Sequence, residues 1–223
     1  MPAFLDEVFV PFYVAASSNV GDYAFGQLFR APAYYPHQKL DVWRPKNLDV
    51  KLGIASDFNI ETGAKDAFRR SLPYSSPPLK TDEEFMALKA KPRPVILIQP
   101  PDPALLAVKK GNYGGKVVRH LCPVVLVYSA EDDAGNSKFH PEFIERVRRL
   151  EYRQFLFLPK GGPLIFDSIA RLDEIQSIAE NQLEATKFAL TKGVTDILRS
   201  QVSFFFTGLS GKEFTGWAQL LQS

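Results

Sequence analysis

Four short apolar runs, bounded largely by proline and glycine, constrain the fold of this chain most strongly. They cover residues 95–99, 122–128, 155–158 and 164–172. Short runs of branched aliphatic and aromatic side chains between proline and glycine residues are typical of buried strands. The 17 prolines among the 223 residues favour extended, punctuated connections over long helices. The sequence therefore predicts a mixed, mainly β fold.

Helices are predicted in four places: residues 82–90, 141–150, 180–190 and 194–206. Thr81 and Glu84 form the capping-box pattern that opens a helix. Pro141 suits the first turn of the second helix, and the last segment has apolar residues at helical spacing. Because the strands come first and most helices come last, we expect a twisted sheet or small barrel with C-terminal helices.

The chain is interpreted as one domain, residues 1–223, with a long insertion. Residues of about 1–30 and 91–206 are assigned to the core, and residues of about 31–90 to the insertion, because the latter region shows no sustained hydrophobic period. A hydrophobic fraction of 45% is sufficient for a sizeable core and argues against disorder.

Composition narrows the functional classes. The net charge of +2 does not by itself indicate a nucleic-acid-binding protein. The single cysteine, Cys122, cannot form a disulfide within the chain, which fits a reducing compartment. The N-terminal residues lack a signal-peptide pattern, and no apolar run approaches the length of a membrane span, so a cytoplasmic protein is expected.

Motifs for metal, cofactor and serine-hydrolase chemistry are not found in the sequence. His37, His120 and His140 are scattered and lack metal-ligand spacing. The glycines at 111–115 lack the strand and helix context of a dinucleotide site, and there is no phosphate-binding loop or serine nucleophile motif. We therefore expect an enzyme, if this is one, to work without metal or cofactor.

A rigid cation stands at the start of the first apolar run, in Arg93-Pro94-Val95-Ile96-Leu97-Ile98-Gln99. Pro94 disfavours helical geometry at Arg93, and a fixed guanidinium can grip two oxygens of a phosphate. A salt bridge at the edge of a sheet is the structural alternative for this arginine.

Two further segments follow in order: Pro123-Val124-Val125-Leu126-Val127-Tyr128-Ser129, then Ser168-Ile169-Ala170-Arg171-Leu172-Asp173-Glu174-Ile175-Gln176-Ser177-Ile178. With the Arg93 segment, they resemble the ordered motifs of the MazF/PemK family of toxin endoribonucleases. The resemblance covers about residues 91–206. It implies an SH3-like small barrel (CcdB/PemK-like) that has C-terminal helices and, in this chain, a long insertion between its first strands.

The resemblance also implies a function and a site. The expected reaction is metal-independent cleavage of single-stranded RNA by attack of the 2′-hydroxyl, with Arg93, Ser129, Arg171 and Asp173 as catalytic residues. Asp173 would accept the 2′-hydroxyl proton, the two arginines would stabilise the phosphorane charge, and Ser129 would donate to a phosphate oxygen. A homodimer and a possible cognate antitoxin are implied partners, alongside RNA.

The Arg171 and Asp173 pair has a structural alternative. Residues two apart in a strand point to the same face, as a cooperating pair must. A surface salt bridge with no catalytic role would show the same spacing.

A basic segment precedes the Ser129 strand. Residues 104–130 contain no acidic residue, and the candidate RNA-binding side chains there are Lys109, Lys110, Tyr113, Lys116 and Arg119. The tyrosine could stack on a base. An ordinary solvated loop with a structural tyrosine is the alternative.

Three departures from the family pattern keep other functions open. Gly21-Asp22 is the candidate start of the first strand, and Arg93 follows Asp22 by 71 positions, far more than is usual. Serine at 129 replaces the usual threonine, and Gln176 stands where an arginine is common. The main alternative is a toxin-fold binding module without cleavage activity, contacting protein or nucleic acid through the insertion. A gyrase poison of the CcdB type is a third hypothesis.

Overall fold

The computed structural model describes residues 3–35, 41–69, 73–76, 78–102 and 120–223. Two compact units make up the chain: the first consists of Met1–Ala33 with Pro92–Ser223, and the second of Tyr34–Lys91. The predicted insertion covers nearly the same residues as the second unit.

Strands dominate the described residues. The strands are β1 Tyr13–Ala15, β2 Gln27–Tyr34, β3 Asp41–Asp49, β4 Ile54–Thr62, β5 Tyr74–Ser75, β6 Pro78–Leu79, β7 Phe85–Ala87, β8 Ala90–Leu97, β9 Leu121–Ser129, β10 Phe155–Leu158, β11 Ser168–Ala179 and β12 Glu184–Leu190. The helices are α1 Leu5–Val8, α2 Pro141–Arg148, α3 Lys192–Thr207 and α4 Lys212–Gln222, with short 3₁₀ turns at Val20–Asp22 and Glu180–Gln182. The predicted mainly β fold with C-terminal helices is confirmed.

Seven strands form the main sheet, in the order β1-β12-β2-β8-β9-β11-β10. Its β1–β12, β12–β2, β8–β9, β9–β11 and β11–β10 pairings are antiparallel. β1 and β10 are its two edges, so within the described part of the chain this sheet does not close into a barrel.

The two faces of this sheet pack against different helices. Leu156 and Phe157 are neighbours on β10 and point to opposite faces, as successive strand residues do. Leu156 belongs to the large core that includes Ile197 of α3 and Phe214 of α4, whereas Phe157 packs with Val147 of α2. The amphipathic α2 and α3 form as predicted, because their apolar stripes have these faces to cover.

A helix over residues 82–90 was expected, and that prediction is wrong. Phe85–Ala87 is strand β7, which pairs with β3 in the sheet β4-β3-β7 of the second unit. Glu84, the residue expected to complete the capping box, instead forms an ion pair with Arg44 at 2.9 Å. The tertiary ion pair and the strand pairing outweigh the local helix-start pattern.

The predicted helix over residues 180–190 is also wrong. After a 3₁₀ turn, Glu184–Leu190 forms strand β12, which pairs with both β1 and β2. Glu, Ala and Lys in this segment favour helix, but the difference in propensity is small and is readily overridden by tertiary context. Pairing on both sides of β12 supplies the backbone hydrogen bonds that a helix would otherwise provide.

Candidate active site

A β-bulge on β11 shapes the candidate site. In the pairing of β9 with β11, Leu126 lies opposite Arg171 and the next residue, Val125, lies opposite Ile175. Leu172, Asp173 and Glu174 therefore lie outside the ladder. Leu172 anchors the bulge, because its side chain is buried and its N–H donates to the carbonyl of Gln154 at 2.9 Å. Bulges re-aim side chains, and this one turns both carboxylates toward Arg171.

Arg171 bonds both carboxylates of the bulge. Its Nε and Nη2 donate to Asp173 Oδ1 and Oδ2 at 3.2 and 2.7 Å, and Nη1 lies 2.8 Å from Glu174 Oε1. The hydrogen bond to Asp173 is the main cause that raises the pKa of Arg171. The side chains of Arg171, Asp173 and Glu174 are 35%, 36% and 10% exposed, so Asp173 is the more accessible carboxylate.

Tyr128 lies beside this group on the neighbouring strand β9. Its hydroxyl donates a short hydrogen bond to Glu174 Oε2. Burial, followed by this bond and the charge of Glu174, raises the pKa of the Tyr128 phenol, and the charges of Arg93 and Arg171 oppose that rise. The phenol therefore stays protonated at neutral pH and serves as a hydrogen-bond donor.

Arg93 approaches the same tyrosine from β8. The register pairs Val95 with Leu126, so that Arg93 and Tyr128, each two residues further along, belong to the same row of side chains. The guanidinium carbon of Arg93 lies 4.4 Å from the ring centroid of Tyr128, and that of Arg171 lies 5.7 Å from it. Two arginines thus share one aromatic ring. We call the set of Arg93, Tyr128, Arg171, Asp173 and Glu174 the Arg171 cluster.

Ser129 is separated from this cluster. It directly follows Tyr128 on β9, so its side chain points to the other face of the strand. Its Oγ donates to the carbonyl of Glu131 at 2.5 Å and accepts from the Glu131 N–H at 3.2 Å, which closes a local turn. Of the four predicted catalytic residues, the structure brings together Arg93, Arg171 and Asp173.

The predicted RNA-binding residues lie outside the described part of the chain. They are Lys109, Lys110, Tyr113, Lys116 and Arg119.

Two members of the cluster, Tyr128 and Glu174, were missed by the sequence reasoning. In a regular strand Glu174 would point away from Asp173, and only the bulge brings the two carboxylates to one guanidinium. Tyr128 immediately precedes Ser129, the hydroxyl residue that the family resemblance assigned to the site. The strand register that pairs β8 with β9 would have pointed to Tyr128 as the neighbour of Arg93.

Metal binding has no support in the described part of the chain, where no group of three or more His, Cys, Asp and Glu side chains could hold an ion. Among the same residues, no helix is both long and apolar enough to cross a membrane. The cluster instead offers two guanidinium groups, two carboxylates and a protonated phenol. These groups can bind a phosphate and transfer protons without further help.

The chain matches no model of a known protein family and no curated protein sequence.

Proposed function

We propose that the Arg171 cluster cleaves single-stranded RNA without a metal, by attack of the substrate's 2′-hydroxyl on the adjacent phosphate. The observation that carries this proposal is the convergence of two arginines, two carboxylates and a protonated tyrosine on one face of β8, β9 and the β11 bulge. Metal-free cleavage of RNA needs a base, a proton donor and cations for the phosphorane, and the cluster contains each of these.

The reaction assigns one role to each group. Asp173 accepts the proton of the 2′-hydroxyl as the 2′-oxygen forms its bond to phosphorus. Arg93 and Arg171 stabilise the negative charge of the phosphorane. The bond from phosphorus to the 5′-oxygen then breaks, and Tyr128 gives this oxygen a proton. The site is restored when Asp173 releases its proton to water and Tyr128 takes one up from water. Ser129 was expected to donate a hydrogen bond to a phosphate oxygen, but its hydroxyl is bonded to the backbone of Glu131, and this proposal gives it no role.

Proton transfer to Asp173 has a second consequence. Once neutral, this side chain no longer forms a charged pair with Arg171, to which it is bonded at 2.7 Å in the resting site. A guanidinium is attracted more strongly to an anionic phosphate oxygen than to the oxygen of a neutral carboxyl group. Arg171 therefore turns from the carboxylate to the phosphate oxygens at the step where negative charge develops there.

The finer features of the family resemblance belong to the same proposal. They are an SH3-like barrel core of the MazF/PemK type, a homodimer, a cognate antitoxin and a cytoplasmic location. The strand order β2-β8-β9-β11, which is antiparallel at β8–β9 and at β9–β11, and the C-terminal helix α3 are compatible with such a core.

A toxin-fold binding module without cleavage activity is the second candidate, and one observation favours it. The Nε, Nη1 and Nη2 atoms of Arg171 all bond to Asp173 or Glu174, so that the resting cluster is already charge-paired. If the cluster keeps these bonds while RNA is bound, it forms part of a binding surface and does not catalyse a reaction.

The experiment that separates the two candidates is incubation of a long mixed-sequence RNA with the protein in EDTA. We expect discrete cuts that leave 2′,3′-cyclic phosphate and 5′-hydroxyl ends. Arg171→Ala and Asp173→Ala should each reduce the rate by about a hundredfold or more. Removal of a group that stabilises transition-state charge costs about 10²–10³ in rate, and removal of a general base costs about 10²–10⁴.

Lys192→Ala is the matched control, because Lys192 is an exposed cation on α3 that pairs with Asp196 of the same helix. This variant should cut RNA at the wild-type rate. Cutting that persists in both cluster variants would place the site elsewhere. No cutting by folded wild-type protein would favour the binding module.

A further inference from the structure

An aromatic surface continues from the Arg171 cluster along β10, an edge strand of the main sheet. The ring centroids of Tyr152 and Phe155 are 6.0 Å apart, and their planes meet edge to face at 71°, so each ring presents a separate face. The ring of Phe143 lies 5.4 Å from that of Tyr152 and 5.5 Å from that of Phe155. All three side chains are only partly buried. We call Tyr152 and Phe155 the aromatic platform.

Cations stand at both ends of this platform. The guanidinium carbon of Arg146 lies 4.9 Å from the Tyr152 centroid, and that of Arg171 lies 5.8 Å from the Phe155 centroid. Phe155 is also the direct cross-strand partner of Arg171 in the pairing of β10 with β11. The platform is therefore continuous with the cluster rather than a separate patch.

Arg146 is held by one ion pair that a ligand can replace. Its Nε bonds to Glu151 Oε2 at 2.7 Å, and both side chains are partly exposed. Ion pairs of this kind contribute little to stability, because water and salt already screen them. A ligand phosphate can therefore displace the Glu151 carboxylate from Arg146 with little loss of free energy.

We propose that the aromatic platform is a base-stacking subsite for a nucleotide next to the scissile phosphate, and that Arg146 binds that nucleotide's own phosphate. This proposal rests on the proposed function in one respect: the phosphate beside the subsite is scissile only if the Arg171 cluster cleaves RNA. Aromatic side chains next to cations are the common means of binding single strands, because every base has a face that can stack. The cationic ends of the platform favour a nucleic acid over an apolar peptide.

Packing of the core does not explain the platform fully. The buried cluster beneath α2 consists of Val147, Phe157 and Ile169, while Tyr152 and Phe155 lie at its margin and keep part of their surface exposed. The exposed part of these rings is therefore available to a ligand.

The test uses a fluorescent single-stranded oligonucleotide of about ten residues in 2′-O-methyl RNA, with binding followed by anisotropy at several salt concentrations. Methylation of the 2′-oxygen removes the nucleophile, so that binding is measured without cleavage. Tyr152→Leu keeps the apolar volume and should weaken binding about tenfold, since stacking on one aromatic residue is worth about that much. Tyr152→Phe should bind as the wild type does.

Arg146→Gln tests the binding of the phosphate. The slope of log affinity against log salt becomes shallower by about 0.7 for each phosphate of a single strand that the protein no longer neutralises. We expect this change in slope for Arg146→Gln and no change in slope for Tyr152→Leu. Phe206→Leu, at an exposed aromatic residue of α3, is the matched control and should bind as the wild type does.

The outcomes separate the platform from the nuclease. Wild-type binding by folded Tyr152→Leu would overturn the platform, whether or not RNA is cut. Binding that depends on Tyr152 would support it, even if the protein proves unable to cut RNA. If Tyr152→Leu fails to fold, an unchanged salt slope in Arg146→Gln overturns the proposal, and a reduced slope supports it.

Discussion

Two regions of the molecule each place one arginine among several carboxylates. The first is the Arg171 cluster. The second lies in the other unit, where Arg44 bonds Asp66 at 2.7 Å, Glu84 at 2.9 Å and Glu61 at 3.4 Å. We call this second set the Arg44 cluster.

The two clusters differ in where their carboxylates come from and in how exposed they are. Glu61 lies on β4, Asp66 follows that strand and Glu84 precedes β7, so Arg44 on β3 joins segments distant in sequence. Arg44 is 14% exposed and Glu84 is fully buried. Arg171, by contrast, bonds neighbours in its own bulge and remains accessible to solvent.

The charge balance differs as well. The Arg44 cluster has one cation for three carboxylates, whereas the Arg171 cluster has two cations for two carboxylates and adds a protonated phenol. Burial lowers the pKa of Arg44, but its bonds to Asp66 and Glu84 outweigh burial and raise it. An arginine among carboxylates is therefore not in itself a sign of a site. Access, charge balance and neighbouring donors are the features that favour the Arg171 cluster in the proposed function.

The largest expected effect is the loss of stability in Arg44→Ala. Removal of the arginine leaves Glu84 buried without this partner, which costs about 3 kcal/mol in the free energy of unfolding, the lower end for a broken buried pair. Urea unfolding followed by Trp43 fluorescence in a Trp217→Phe background reports on the second unit, because the chain has 2 tryptophans. Lys46→Ala, at an exposed residue of the same strand, is the control.

One result for Arg44→Ala would reverse the roles of the two clusters. If Arg44→Ala abolished RNA cleavage without a loss of stability, the Arg44 cluster and not the Arg171 cluster would be reactive.

A smaller effect is expected for Tyr128→Phe, which removes the proposed proton donor. Cleavage should fall by about tenfold to hundredfold, at the low end for a general acid because the arginines remain. Stability at high pH should also change. The folded pKa of Tyr128 lies above the unfolded value of about 10, so its contribution is fully present below that pH and is lost as the pH rises further.

Tyr23→Phe is the matched control for this variant. Burial likewise raises the pKa of Tyr23, whose ring packs against Phe29 rather than against the cluster. Both variants should lose less stability than the wild type as the pH rises above about 10. Tyr128→Phe alone should slow the cleavage of RNA. Equal cleavage by the two variants would remove Tyr128 from the proposed mechanism.

Local patterns predicted the parts of the fold that depend on nearby residues. Residues 155–158 form β10 with the predicted bounds, and α2 and α3 begin within two residues of the predicted positions. Hydrophobic runs and helical spacing are visible in any single sequence, and here the faces that they define are the ones that become buried.

Other features depended on strand pairing, which local patterns do not contain. β12 and β7 carry residues with helical preference but are held by neighbouring strands. The bulge at 172–174 arises where β11 meets β9, so the role of Glu174 could not be derived from its position next to Asp173. The contact of Arg93 with Tyr128 likewise requires the register of β8 against β9. The sequence alone indicated Arg93 and the pair of Arg171 and Asp173. Strand pairing brings Tyr128 and Glu174 to them.

The smallest expected effect concerns Asp66, the most exposed carboxylate of the Arg44 cluster. The hydrogen bond from Arg44 lowers the pKa of Asp66 below its ordinary value. Its contribution to stability is therefore present above the unfolded value of about 4 and is lost as the pH falls through the folded pKa. Asp66→Asn should make the second unit less sensitive to acid, measured by Trp43 fluorescence in the Trp217→Phe background.

Asp22→Asn is the control. It removes a carboxylate of the first unit whose pKa is lowered by bonds from Ser17 and Asn19, and it should leave the acid response of the second unit unchanged. If the second unit responds to acid equally in both variants, its stability does not depend on the bond between Arg44 and Asp66. The Arg44 cluster would then stabilise this unit through the buried pair of Arg44 and Glu84.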